Sequence, residues 1–439
     1  MTAPPAPPPT QAPTPVPAPA PVPVPTPTPG PTRVRVRVPA RPAGCTIAAD
    51  GSYAARLARA AGAPDSWYPE RWTLGSPEPY AVPLPGNQPE EPSTEVHPMA
   101  DGRVLIHRVV GERHTFALLY PTGPGTGAVP LGAVECGELS LLPPAPGGDR
   151  AYAVAPGARS SDIWLVAGGT FGPEHLASVP GRCSGGVWLD GTERMLALDR
   201  ELDGRTKTVA VDLERGGEVS PLLQIAEESD DRLLLADADS GLLLIRSDAP
   251  GGPGGPRLGW GVLGGTRPVR FPECLRLPDL TVTPFAIQPG QVLTPEACAV
   301  ALRIDGPGGG GGGGGGSGGS GSGSWLGLWR PADRKVLQLA SPEGWLAGSG
   351  WWTRDGLLRL PYATAAEPCG VARVSGPAPG TGPLRDGVGP VRDGVGPVRD
   401  GVGPVRESAP PPPADPPHPA VARPVPLQQA PLGVRTGDR

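Results

Sequence analysis

Residues 183–225 read CSGGVWLDGTERMLALDRELDGRTKTVAVDLERGGEVSPLLQI, and the spacing of turns and apolar runs in this stretch decides the fold. Gly185–Leu189 makes a first strand, ended by the turn pair Asp190-Gly191. Glu193–Asp199 makes a second, with Leu196 and Leu198 on one face, and Asp203-Gly204 reverses the chain again. Lys207–Leu213 makes a third, with Val209 and Val211 on one face. Gly216-Gly217 turns the chain into a fourth strand, Glu218–Ile225. Residues two apart in a strand share a face, and Asp-Gly or Gly-Gly pairs supply the backbone freedom of tight hairpin turns. The stretch therefore predicts four short antiparallel strands, a to d.

The same order recurs on both sides. In 136–179, Leu139–Leu142, Ala151–Ala155, Asp162–Ala167 and His175–Val179 fill the four slots. In 229–271, Arg232–Ala236, Leu242–Ser247, Leu258–Leu263 and Pro268–Phe271 do so. The turns between the first two strands fall near Asp50, Asp101, Gly148, Asp190, Ser240, Pro289 and Asp355. Their spacing is 42–51 residues throughout, once a 16-residue Gly/Ser run at 308–323 is set aside as a loop insertion. Fixed-period units of four strands bury their faces only against neighbouring units, which predicts a seven-bladed, all-β propeller. The last unit, Gly344–Thr353, Leu357–Tyr362 and Gly370–Val374, supplies strands a to c without a d. Thr32–Val38, which alternates strictly, is the expected closing strand.

The turn pattern resembles that of WD40-like and TolB-type propeller repeats, with Trp188-Leu-Asp-Gly191 and Met99-Ala-Asp-Gly102 as the nearest local matches. The Gly-His and Trp-Asp pairs of true WD40 blades are absent. The resemblance implies a fold class and no activity.

The ends of the chain differ in kind. Gly 67 and Pro 66 are not spread evenly: the first 44 residues hold 17 prolines, and residues 308–323 are nothing but Gly and Ser. Residues 1–31 are a proline-rich tail, expected to be extended and disordered; it reads as a spacer or as a ligand for a proline-recognising domain. Residues 376–439 carry three Arg-Asp-Gly-Val-Gly-Pro-Val heptads, starting at Arg385, Arg392 and Arg399, whose Gly and Pro exclude a coiled coil. The propeller is expected over 32–375. The whole chain carries a formal charge of −5, and the tails are net basic, so the middle carries about −10. An acidic body argues against nucleic acid, which needs a basic footprint. No run of about 20 apolar residues marks a membrane span. With no secretory signal visible, the sequence predicts a cytoplasmic monomer with reduced thiols.

The chemistry-bearing residues form no recognisable constellation. Gly-x-Ser-x-Gly occurs only within the Gly/Ser run, and no phosphate-binding Gly-Lys-Ser/Thr loop exists. His97, His107, His114, His175 and His418 lack metal-ligand spacing. Asp199-x-Glu201-x-Asp203-Gly204 begins like a calcium loop but has Ala210 at its twelfth position, so it reads as a hairpin turn. The lone Asn87 falls in a loop. Glu227, Glu228, Asp230, Asp231, Asp237 and Asp239 read as a solvated acidic loop, with a cation or a basic partner as the alternative. Cys45, Cys136, Cys183 and Cys274 sit where strand a of a unit begins, and are read as small packing residues near the channel; a bridge or metal between Cys136 and Cys183 is the alternative. Trp67 and Trp72 flank a proline-containing strand and could form an exposed platform. No residue is assigned a catalytic, cofactor-binding or metal-binding role. The expectation is a non-catalytic scaffold that binds a protein or peptide on the face of the d–a and b–c loops. The alternative is a hydrolase or lyase with its site at the central channel.

Overall fold

The computed structural model of the chain describes residues 44–376, apart from 61, 124, 252–254 and 307–323. Within them the chain forms seven antiparallel blades in sequence order, the fourth and fifth joined by one parallel bridge into a single seven-stranded sheet. Blade 4 carries the reference stretch: Arg182–Trp188, Met195–Leu202, Arg205–Asp212 and Glu218–Pro221 pair in that order. Its b–c turn is an ordinary tight hairpin, with Asp203 and Gly204 both at positive φ (52° and 77°). All seven expected a–b turns fall between the first two strands of their blade.

Alternation within the strands joins the blades. In strand b of blade 3 (Ala151–Pro156), Tyr152 and Val154 face blade 4, whereas Ala151, Ala153 and Ala155 face blade 2. In strand b of blade 6 (Val300–Asp305), Val300, Leu302 and Ile304 face blade 5, and Ala301 faces blade 7. Large side chains fill one wedge and alanines the next, so both faces of the sheet are buried. Every neighbouring pair of blades shares such an apolar cluster. The last cluster packs Cys45, Ala54, Trp72 and Leu74 of blade 1 against Leu346, Trp351 and Val371 of blade 7. There the Ser349 hydroxyl also donates to the Cys45 carbonyl at 2.8 Å. The chain is a seven-bladed β-propeller.

Two blades depart from four regular strands. Blade 7 has three: Trp351–Trp352, Leu357–Tyr362 and Gly370–Ser375. Its expected fourth strand, Thr32–Val38, lies outside the described residues, as do both tails. Blade 5 has Asp231–Ala236, Leu242–Ser247 and Arg257–Val262, but Pro268–Phe271 is not a full strand d. It contributes one bridge, in which Trp260 and Arg270 exchange backbone hydrogen bonds at 2.9 Å. Pro268 and Pro272 lack the N–H a ladder needs, and the chain goes on into a short 3₁₀ turn, Glu273–Leu275. The Gly/Ser run falls between strands b and c of blade 6, whose flanks pair as Asp305 with Ser324; 308–323 are themselves outside the described residues.

Candidate functional site

Strands a and c run one way and b and d the other, so the d–a and b–c connections share one face of the ring. The 227–231 part of the acidic stretch belongs to this face, at the junction of blades 4 and 5, whereas Asp237 and Asp239 lie in the a–b turn of blade 5 on the opposite face. The inner members of the stretch are structural acceptors. Asp231 is fully buried and accepts from Lys207 Nζ (2.8 Å), Ser247 Oγ (2.6 Å), the Ile225 amide (3.0 Å) and Ser229 Oγ (2.9 Å). Burial alone would raise its pKa, but these donors outweigh it and hold the carboxyl below its ordinary range. The backbones meet there too, in a parallel bridge between Lys207 and Asp231. Asp199, on strand b of blade 4, accepts from Thr208 Oγ1 (2.8 Å) and the Leu233 amide (3.1 Å), and burial raises its pKa. Asp230 accepts from the Thr206 amide (2.8 Å), and Asp237 from the Ser240 amide (2.8 Å). Glu227 and Glu228 are the exposed part of the loop, with Glu228 paired to Arg205 at 2.7 Å. Asn87 is exposed in the connection between blades 1 and 2.

The histidines hold a contact that sequence spacing did not suggest. On blade 2, Glu95 Oε2 lies 2.9 Å from His107 Nδ1, His107 Nε2 lies 2.9 Å from His114 Nδ1, and His114 Nε2 lies 3.2 Å from the Cys136 carbonyl. Three such bonds need three hydrogens, and two neutral imidazoles bring two. Burial, then His107, hold the pKa of His114 below its ordinary value, which opposes the extra proton. Glu95 also accepts from the Leu141 amide at 3.0 Å. The chain thus ties blade 2 to the backbone of blade 3. The signal was the hairpin: Val109 pairs with His114 and His107 with Phe116, which makes the two histidines diagonal cross-strand neighbours.

Trp72 is no platform. It is completely buried, and its Nε1 donates to Glu70 Oε2 at 2.8 Å. Trp67 is half-buried beneath the Arg59 guanidinium, 4.6 Å from its ring centre. All six cysteines are free thiols; Cys45 and Cys183 are buried, and burial drives the Cys45 pKa up to about 12. Among the described residues no group of three or more His, Cys, Asp or Glu is placed to hold a metal ion, and no helix is long and apolar enough to cross a membrane.

Two cavities among the described residues lie where the fourth strand of blade 5 fails. One, of about 690 Å³, is bordered by Trp260, Arg270, Glu296 and Asp333, towards the a–b and c–d side of blade 6. The other, of about 340 Å³, lies between the b–c connection of blade 5 and the d–a connection into blade 6. Arg246, Arg257 and Arg276 line it, with apolar walls from Leu275, Leu280 and Val282, and no acid lines it. Arg257 Nη2 reaches Glu273 (2.8 Å) and the Phe271 carbonyl (3.2 Å). Arg246 donates only to the Val282 carbonyl at 3.3 Å. Among the described residues no carboxylate lies within ion-pair distance of it. No motif of acids, histidines or cysteines marks these arginines in the sequence. The acid nearest to Arg246 in sequence, Asp248, accepts instead from the Asp230 amide at 2.7 Å.

No protein-family model and no curated protein matches the chain. Among solved structures it is similar to a putative TolB from Agrobacterium tumefaciens, at 15% identity over 52% of this chain and 79% of that one, with a TM-score of 0.36. The β-propeller domain of the Trilobed protease from Pyrococcus furiosus is 12% identical over 75% and 93%, with a TM-score of 0.41. Oligogalacturonate lyase from Vibrio parahaemolyticus is 10% identical over 77% and 93%, with a TM-score of 0.46. The assignment of the fold rests on the seven blades and their junctions rather than on these likenesses.

Proposed function

We propose that this propeller, with WD40-like or TolB-type blades spanning 32–375, is a non-catalytic binding protein. It takes a protein or peptide partner on the face of the d–a and b–c loops. The observation that carries the reading is the 340 Å³ cavity, which is framed by exactly those two kinds of loop. Small-ligand and side-chain pockets begin at about this size, roughly 300 Å³. The acids and histidines held in hydrogen bonds on the same face support recognition over reaction. Asp199, Asp231, Glu95 and His114 each spend their hydrogen bonds on neighbouring strands or backbone. The Glu95–His107–His114 chain is the arrangement that favours the alternative, a hydrolase or lyase. However, both imidazoles are about as buried as the core, at 2% and 3% exposure, so no substrate atom reaches them.

A peptide-display selection against the full chain tests the reading. Selected peptides should lose at least tenfold in affinity for a Glu227→Arg, Leu277→Arg double variant, and keep it for Arg215→Glu on the opposite face. A loss confined to Arg215→Glu, or failure to select any binder, overturns the proposal.

A further inference from the structure

We infer that the cavity between blades 5 and 6 binds a carboxylate with an apolar substituent, the C-terminal residue of a partner peptide. This rests on the reading of the d–a/b–c face as the partner-binding surface, and it names the chemistry of that surface. The argument begins with charge. Arg246 ends strand b of blade 5, half-buried, and its one hydrogen bond goes to the Val282 carbonyl at 3.3 Å. The charge acting on it from within the protein is another cation, Arg232, and burial and that neighbour both act against its protonated form. A desolvated guanidinium without an anion is costly, and a bound anion removes that cost. The body around it is net acidic, so three arginines on one cavity with no acid among the lining residues run against its overall charge.

The number of charges and the walls narrow the ligand further. Arg257 already faces Glu273 and the exposed Arg276 is not without a partner, so Arg246 is the half-buried cation left for a ligand to neutralise, and one negative charge matches it. The planar guanidinium pairs with a carboxylate through two parallel hydrogen bonds. Leu258, Leu275, Leu277, Leu280 and Val282 supply an apolar wall. A leucine-sized substituent gains from that wall, whereas a phosphate dianion would be stripped of water against it without a second unpaired cation.

Calorimetric titration of the full chain tests this with defined probes: Ac-Gly-Gly-Ser-Gly-Gly-Leu as the free acid, the same peptide as its amide, N-acetyl-leucine and inorganic phosphate. The free acid should bind at least tenfold more tightly than the amide, in wild-type protein and without any variant. Arg246→Met should weaken the acid at least tenfold and leave the amide unchanged; Arg257→Gln should weaken it several-fold. N-acetyl-leucine binding as tightly as the peptide supports the carboxylate site and assigns it to small acids instead of chain ends. Equal binding of acid and amide, unchanged binding by a folded Arg246→Met, or phosphate binding as tightly as the acid, overturns the inference. The probes need no natural partner, so a failed display selection and a failed titration are independent results.

Discussion

Blade 5 meets its two neighbours in opposite ways. Towards blade 4 it presents Asp231, a fully buried anion matched by Lys207, two serine hydroxyls and a backbone amide. Towards blade 6 it presents Arg246, a half-buried cation with one carbonyl and no acid. The difference starts in the connections. The segment entering blade 5 carries Ser229 and Asp231, whose side chains close onto strand ends. The segment leaving it carries Gly264-Gly265, Pro268 and Pro272, which cannot complete a strand, so the wedge between blades 5 and 6 stays partly open. A repeat can hold charge either as a rivet, when every donor is matched, or as a site, when one is not.

The largest effect should come from breaking the rivet. Asp231→Ala leaves Lys207 without its anion and strands the Ser247 hydroxyl and the Ile225 amide. A loss of about 3–5 kcal/mol is expected in urea denaturation, the range for removing one partner of a buried pair. A loss below about 1 kcal/mol would show that the junction is held by its apolar cluster alone.

Acid should expose the same rivet without mutation. The carboxyl of Asp231 has a lower pKa folded than unfolded, so its stabilisation is complete above the ordinary aspartate value of about 4 and is lost as pH falls below it. Thermal denaturation from pH 6 to 3 should show wild type losing more stability than Asp231→Asn. Parallel curves would remove Asp231 from the acid response.

The open junction should respond in the other direction. Arg246→Met removes a desolvated cation and keeps most of the side-chain volume. The free protein should be unchanged or up to about 1 kcal/mol more stable, as expected where a binding group is held at a cost to the fold. Loss of more than about 2 kcal/mol would mean that Arg246 is structural, and the two junctions would then be alike.

The comparison also shows what a sequence can reveal. The blades were legible because their information is local. Turn pairs such as Asp101-Gly102 sit where the backbone needs positive φ, and Leu196 and Leu198 sit two apart in a strand that has to bury them. Blade 5 was read with a regular strand d because Pro268–Phe271 carries apolar residues in the right slot; the missing N–H of Pro268 and Pro272 was the contrary signal. The site was not legible, because it is defined by residues brought together from strand b, strand c and the next blade's entry. Arg246, Arg257 and Arg276 are unremarkable in sequence, and only the register of the sheets tells which of them has an acid beside it. The same holds for His107 and His114, which the hairpin register brings together.

The smallest effect should fall on Asp199, which lies in the same junction as Asp231 and contrasts with it most closely. Burial raises its pKa, against the opposing hydrogen bonds of Thr208 Oγ1 and the Leu233 amide. Its cation, Arg232, stands 3.6 Å away and is 43% exposed, a geometry in which screening leaves little attraction. Asparagine keeps an oxygen for both donors and removes the buried charge. Asp199→Asn should therefore change stability at pH 7 by no more than about 0.5 kcal/mol, as for substitutions that spare every buried partner, and in the stabilising direction. Because the folded-state pKa is raised, wild-type Asp199 takes up its proton before the unfolded chain does, so the advantage of asparagine should shrink as pH falls towards 4. A destabilisation near that of Asp231→Ala would make the charge of Asp199 a second rivet, and the contrast between matched and unmatched charge would then have to be drawn between blades rather than between single residues.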